Sequence, residues 1–314
     1  MRAVAVRAFK ALPEPVEVPA PVAEPGRVLV KVAAAGLNPV DWLIADGMLD
    51  GVAPHVFPLV MGADFAGTVT AVGDGVTRFA VGDEIFGQVG GAAIGAGSYA
   101  EYVSASEDAP LARAPKSVPL AHAAALPVAG MTAAQILEAA AVREGESLLV
   151  IGAGGGVGTY LTQLAAGRDV RVLAAVRGDA RQRMGALGAA VTVDTTAQDL
   201  ASAVRDEYPD GVDALVDLAS RTKEDFAANA ALVHDGGVAL TSLHQEDPAR
   251  APRGVEVIGF EMSPSGDLLA TLARAVDAGQ LKIDVEAEVP LERAPEAVAK
   301  SRSGGARGKT LIVP

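Results

Sequence analysis

The stretch AAAGLNPVDWL (33–43) closes an apolar run on Gly36, then brings an amide (Asn38), a carboxylate (Asp41) and the chain's only tryptophan (Trp42) together. An asparagine amide can donate to a carbonyl oxygen or hold a cofactor's ribose or carboxamide, and a nearby carboxylate can relay a proton. The same residues also make ordinary loop structure: Asn-Pro is a turn dipeptide, and Asp41 can cap a helix over WLIADGM. Both readings stand at this point.

A second candidate is IGAGGGVG (151–158). Read from Gly152, a G-x-G-x-x-G frame fails because Val157 fills its last place; read from Ala153, A-x-G-x-x-G fits with Gly155 and Gly158. Such a loop between a buried strand and a helix cradles a pyrophosphate on backbone N–H groups, at Ala153, Gly155, Gly156, Val157 and Gly158. Gly155 stands where backbone approaches the phosphates and Gly158 where helix and strand cross closely. The end of the next strand selects the nucleotide. An NAD enzyme places Asp or Glu there to hold the ribose hydroxyls. Here the position is close to Ala175, with Arg177 and Arg181 following. Guanidinium groups in place of a carboxylate suit a 2′-phosphate, which predicts NADPH. Asp179 is read as a helix N-cap, and solvated surface arginines are the plainer alternative.

The elements that must position these groups fall into two kinds. Residues up to about 110 carry short strand-like runs, 27–36, 64–73, 81–90 and 97–105, punctuated by Gly, Pro and Asp, as in a small barrel-like antiparallel domain. From about residue 145 the pattern alternates. Strands at 147–151, 170–176, 190–194, 212–220 and 236–243 are separated by helical segments, which predicts a parallel doubly wound sheet. A final section, with helical segments near 265–278 and 294–302 and strands at 281–289 and 308–314, is expected to pack back on the N-terminal domain.

Composition removes several classes. The chain has no cysteine, and its four histidines (His55, His122, His234, His244) are scattered, so thiolate chemistry, disulfides and Cys- or His-built metal sites are not expected. A net charge of −13 with no basic stripe argues against nucleic acid or an anionic membrane as partner. The N-terminus lacks an apolar signal region, and the apolar stretch 121–142 is broken by His122, Pro127, Gly130, Gln135 and Glu138. A cytoplasmic protein is expected.

Taken in order, AAGLNPVDW (34–42), MGADFAGTVTAVGDGVTRFAVGDEIFG (61–87), GSYAEYV (97–103), LPVAGMTAAQIL (126–137), IGAGGGVG (151–158), LGAAVTVD (187–194) and RGKTLIVP (307–314) resemble the medium-chain dehydrogenase/reductase superfamily, in its zinc-independent quinone oxidoreductase-like branch. The resemblance implies a GroES-like β-rich catalytic domain (1–120 and 262–314), a Rossmann NADP-binding domain (121–261), an active site between them, and a homodimer. It also implies that Thr132 lies near the nicotinamide. Zinc-dependent relatives carry a Cys and a His-Glu pair where this chain resembles them with Asn38 and Ala63-Asp64, and the four-cysteine lobe after residue 87 is missing.

Alcohol oxidation at neutral pH calls for a Lewis acid to hold the developing alkoxide. Quinones and α,β-unsaturated carbonyls accept hydride without one, because the product charge is delocalised. The expected activity is therefore hydride transfer from NADPH to a quinone or enone, with Asn38 and Asp41 as the candidate catalytic pair and no metal. Leu43 stands where some relatives carry a Tyr or Lys, so solvent is the expected proton source. An enoyl-thioester reductase and a non-catalytic NADPH-binding regulator are the alternative readings.

Overall fold

The computed structural model describes residues 1–90 and 93–314. Gly91 and Ala92, in the run where a cysteine lobe would stand in zinc-dependent relatives, lie outside them. The chain divides into two compact units, Met1–Met131 with Pro264–Pro314, and Thr132–Ser263.

In chain order the first unit carries β1 (Arg2–Val6), β2 (Glu14–Glu17), β3 (Arg27–Gly36), α1 (Pro39–Ala45), β4 (His55–Val60), β5 (Asp64–Val72), β6 (Glu84–Gln88), β7 (Ile94–Ala96), β8 (Tyr102–Ser106), β9 (Leu111–Arg113), α2 (Leu120–Ala123) and the start of α3 (Pro127–Ala140). A seven-stranded sheet includes β3, β5, β6, β8 and β9, and a four-stranded sheet has the order β2-β1-β4-β7. In β3, Val28, Val30, Val32 and Ala34 alternate inward, as the period of two requires.

Two strands had little sequence signal. β1 is RAVAV, where alanine weakens the strand propensity. β4 contains Pro58, which argues against a ladder strand. Its pairing with β1 uses only Leu59 and Val60, beyond the proline, so no ladder bond is lost there.

The second unit holds β10 (Ser147–Ile151), α4 (Gly156–Ala166), β11 (Arg171–Val176), α5 (Arg181–Ala186), β12 (Val191–Asp194), α6 (Leu200–Glu207), β13 (Val212–Asp217), α7 (Lys223–Ala230), β14 (Val233–Thr241) and β15 (Glu256–Gly259). Its six strands are parallel in the order β12-β11-β10-β13-β14-β15. This is the doubly wound Rossmann order, with the reversal of direction between β10 and β13, where such sheets bind ligands. Leu149, Leu173, Val204, Leu215 and Phe226 build its core, and β10 is buried throughout.

The chain then returns to the first unit with α8 (Gly266–Asp277), β16 (Val285–Pro290), α9 (Ala294–Arg302) and β17 (Lys309–Val313). β17 pairs antiparallel with β3 through Ile312–Ala35 and Leu311–Gly36, as expected for a tail that packs back. Residues 121–131, assigned from sequence to the second domain, sit with the first, and residues 262–263, assigned to the first, sit with the second. The carbonyl of Ala124 lies so close to Gly36 that a Cβ there would come within 2.1 Å of it.

Candidate active site

Gly36 ends β3, Leu37 and Asn38 turn the chain, and Pro39 opens α1 at a position where its missing N–H costs nothing. Asn38 is the N-cap. Asp41, three residues on, folds its carboxylate back to accept the Asn38 N–H at 2.8 Å. Asp41 therefore caps the helix from inside its first turn and is not the N-cap itself.

Both expected catalytic side chains are closed off from solvent. Asn38 and Asp41 are each 3% exposed. The Asn38 amide nitrogen donates to Gly36 O (3.1 Å) and to Asp64 Oδ2 (2.9 Å), while its oxygen accepts from Lys309 Nζ (2.6 Å). Asp41 Oδ1 accepts from the Ala63 N–H (2.9 Å), and Oδ2 accepts from the Tyr99 hydroxyl (2.8 Å) as well as from Asn38. In this arrangement Asn38 has no N–H left for a bound carbonyl. The bonds of these two side chains form a brace beneath the Gly36–Asp41 loop.

Three more residues complete the brace. Asp64, at the first position of β5, is fully buried; its Oδ2 also accepts the Val128 N–H at the start of α3 (2.9 Å). Lys309, at the first position of β17, is 2% exposed and donates a second bond to Leu37 O at 3.0 Å. Tyr99 is buried in the core and lies in a bend before β8. Burial dominates the electrostatics. It pushes Asp41 up to about 6 and Asp64 up to about 7, against hydrogen bonds and Lys309 that favour their ionised forms. It lowers Lys309, against the attraction of Asp64 and Asp41, and it raises Tyr99.

In the sequence, Asp64 and Lys309 each stood only within a run of the family pattern, and Lys309 had no role attached. A lysine heading KTLIV is a common strand start, and only the β17–β3 pairing shows what it meets. Trp42 is half-buried against the same core, with the Arg302 guanidinium 5.4 Å from its ring centre.

In the second unit, β10 ends at Ile151 and the turn delivers Gly155 as N-cap of α4. A Cβ on Gly158 would lie 2.5 Å from the Cα of Ala153, so the helix meets the turn after β10 there with room for hydrogen only. Gly156, Val157 and Gly158 form the first turn of α4, whose N–H groups no helical carbonyl can satisfy and whose dipole favours an anion. The residues present fit a dinucleotide pyrophosphate.

β11 ends on Ala175 and Val176, both buried and uncharged. Arg177 and Arg181 follow, both exposed. The loop that carries Arg177 and leads to Arg181 at the start of α5 is pinned by Asp194, whose carboxylate accepts the Gly178 N–H at 2.8 Å. Asp179 is not the N-cap of α5: Ala180 is, and the Asp179 carboxylate accepts from the Arg181 N–H one position earlier than a cap would. Arg183, which the sequence reading passed over, reaches back to Gly154 O at 3.2 Å and ties α5 to the glycine turn. Thr132 opens the second unit on α3 and is 8% exposed.

Residues 24–116 match the alcohol dehydrogenase GroES-like domain family, and residues 187–312 match the zinc-binding dehydrogenase family. The chain is 31% identical to the chloroplast envelope quinone oxidoreductase homolog of Arabidopsis thaliana, over 96% of this chain and 94% of that one. It is 32% identical to the NADPH-dependent alkenal/one oxidoreductase of the same plant, over 92% of this chain and 72% of that one. The solved quinone oxidoreductase from Coxiella burnetii has a TM-score of 0.87 at 26% identity, covering 100% of this chain and 99% of that one.

The zinc implied by the second family does not suit the residues at hand. Asn38 Oδ1 already holds an ammonium, Ala63 offers a methyl group and a backbone N–H donor, and Asp64 Oδ2 is bonded to Asn38 and Val128. A tetrahedral N/S donor set cannot be assembled from these.

Proposed function

The chain belongs to the medium-chain dehydrogenase/reductase superfamily, in its quinone oxidoreductase branch, and on that premise we propose that it transfers a hydride from NADPH to a quinone or an α,β-unsaturated carbonyl compound. The observation that carries this reading is the end of β11. No carboxylate stands there to take the ribose hydroxyls, and Arg177, on a loop held by Asp194, and Arg181, opening α5, follow. A 2′-phosphate has charged partners in that place, and a 2′-hydroxyl would have none.

When bound, NADPH supplies the hydride. Ala153, Gly155, Gly156, Val157 and Gly158 hold its pyrophosphate on backbone N–H groups, Arg177 and Arg181 hold the 2′-phosphate, and Thr132 borders the nicotinamide. Asn38 and Asp41 act by keeping the Gly36–Asp41 loop in one conformation. The acceptor's own conjugation spreads the charge it gains, so the chain needs no Lewis acid. Leu43 offers no proton, and water supplies it.

The acting form is a cytoplasmic homodimer on a small-molecule substrate, without nucleic acid or membrane partners. The exposed edge strand β15 supports the dimer, and the charge of −13 supports the missing polyanion partners. Among the described residues no helix is long and apolar enough to cross a membrane.

The test is NADPH consumption over a panel of quinones, enones and enoyl-thioesters, with NADH alongside. Turnover with quinones or enones supports the reading, and turnover confined to enoyl-thioesters replaces it. Cofactor that binds and is never oxidised makes the protein an NADPH-binding regulator.

A further inference from the structure

Asp41, Asp64 and Lys309 are three ionisable groups sealed within the first unit around one amide, and Lys309 is the only buried lysine or arginine among the described residues. We infer that Lys309 is a positioning residue for the Gly36–Asp41 loop, and that Asp64, not Asp41, is the carboxyl of the cluster that keeps a proton into the neutral range, the cluster then carrying one positive and one negative charge.

The positioning follows from the amide. Asn38 meets a pure donor on one side, the Lys309 ammonium, and a carboxylate acceptor on the other, Asp64. Flipping the amide would set N–H against N–H and oxygen against oxygen, so the two neighbours fix one orientation. Lys309 also ties Leu37 O, and thus holds two successive residues of the loop to β17. Neither the sequence pattern nor the family likeness assigned this lysine a role.

The proton follows from counting donors. Asp41 is met by three, the N–H groups of Asn38 and Ala63 and the Tyr99 hydroxyl, and both its oxygens are used. Such a carboxyl is served best when ionised. Asp64 is met by two donors, both at Oδ2; its Oδ1 is buried with no hydrogen-bond partner. An ionised carboxylate with one bare oxygen in a dry interior is costly, whereas a protonated one presents that oxygen as a neutral hydroxyl. The ionisable groups facing Asp64 are Asp41 from α1, Lys309 from β17 and Tyr99 from the bend before β8; α3 offers only the Val128 N–H. One ammonium cannot neutralise two carboxylates, and of the two Asp64 is the more strongly raised.

The activity arm of the test rests on the reductase reading, and the spectroscopic arms do not. In the full chain, infrared difference spectra through neutral pH should show a protonated-carboxyl stretch that disappears in Asp64→Asn, and fluorescence of Trp42, next to Asp41, should titrate with the same midpoint. Lys309→Met should raise that midpoint by about one pH unit or more. It should also lower kcat about tenfold or more while the KM for NADPH holds steady. A wild type without the band, a band that survives Asp64→Asn, or a Lys309→Met protein that titrates and turns over like wild type overturns the inference. If Lys309→Met does not fold, the Asp64→Asn spectra decide. Absence of turnover with every acceptor would sink the reductase reading and leave the spectroscopic result standing.

Discussion

Lys309 Nζ lies 2.6 Å from Asn38 Oδ1, a contact between residues 271 apart in sequence, and it places the start of the last strand directly behind the loop that opens α1. Much of what can be tested follows from how that loop is held.

Asp41→Asn should be far more damaging than Asp64→Asn. Whichever way the new amide is turned at 41, its NH2 faces a backbone donor, Ala63 on one side or Asn38 on the other. A buried N–H left in conflict costs roughly 1–3 kcal/mol. At 64 the NH2 can take the place of the unbonded Oδ1, with the amide oxygen kept for Asn38 and Val128. Thermal melting of both variants at neutral pH checks this, and equal losses would contradict it.

The pH dependence of stability has a definite sign. Asp64 is raised from 3.8 to about 7 and Asp41 from 3.8 to about 6, so the folded state holds these protons more tightly than the unfolded chain. As pH rises through that window the unfolded state releases them first, and stability falls. Asp64→Asn removes its share. The variant should therefore gain on wild type steadily from about pH 4 to about pH 7 and level off above, as read from denaturant midpoints across that range. A constant difference would mean that Asp64 does not titrate in the fold.

Arg177→Ala and Arg181→Ala together should weaken NADPH and leave NADH unchanged. Two charge-assisted contacts to a 2′-phosphate correspond to a loss of about tenfold or more in affinity. Cofactor fluorescence titrations decide it, and equal losses for both cofactors would remove these arginines from the site.

Gly158→Ala should damage the cradle without touching the first unit. Its Cβ would meet backbone at Ala153 and Gly152, which cannot swing aside as a side chain would. Overpacking of this kind costs about 1–3 kcal/mol, so the second unit should melt earlier and NADPH affinity should drop. Unchanged binding of both cofactors would show that the crossing has more room than the structure gives it.

The parallel half of the fold could be read from the sequence because its central strands, β10 and β11, carry short continuous apolar runs. SLLVI is buried at every position, and its bounds need no knowledge of a partner. β1 and β4 could not, since alanine and Pro58 hide their strand character and long-range pairing supplies it. The loop around Asn38 was visible as a place, and the bonds that hold it were not. Spacing shows that an amide and a carboxylate are near each other; it does not show that Asp64, Tyr99 and Lys309 arrive from three other segments to occupy their hydrogen bonds. Asp64 and Lys309 carry no local signal, because burial of a charge is decided by what packs over it.

The pairing of β17 with β3 also sets an order of assembly. Thr132–Ser263 is one continuous stretch, and its sheet can close as soon as it leaves the ribosome. The Asn38 loop must wait for Lys309, nearly the whole length of the chain later, and until then two carboxylates sit without their counter-charge. The most distant contact in the brace thus waits until the whole of Thr132–Ser263 has been made, and the Gly36–Asp41 loop is held from both sides only after that.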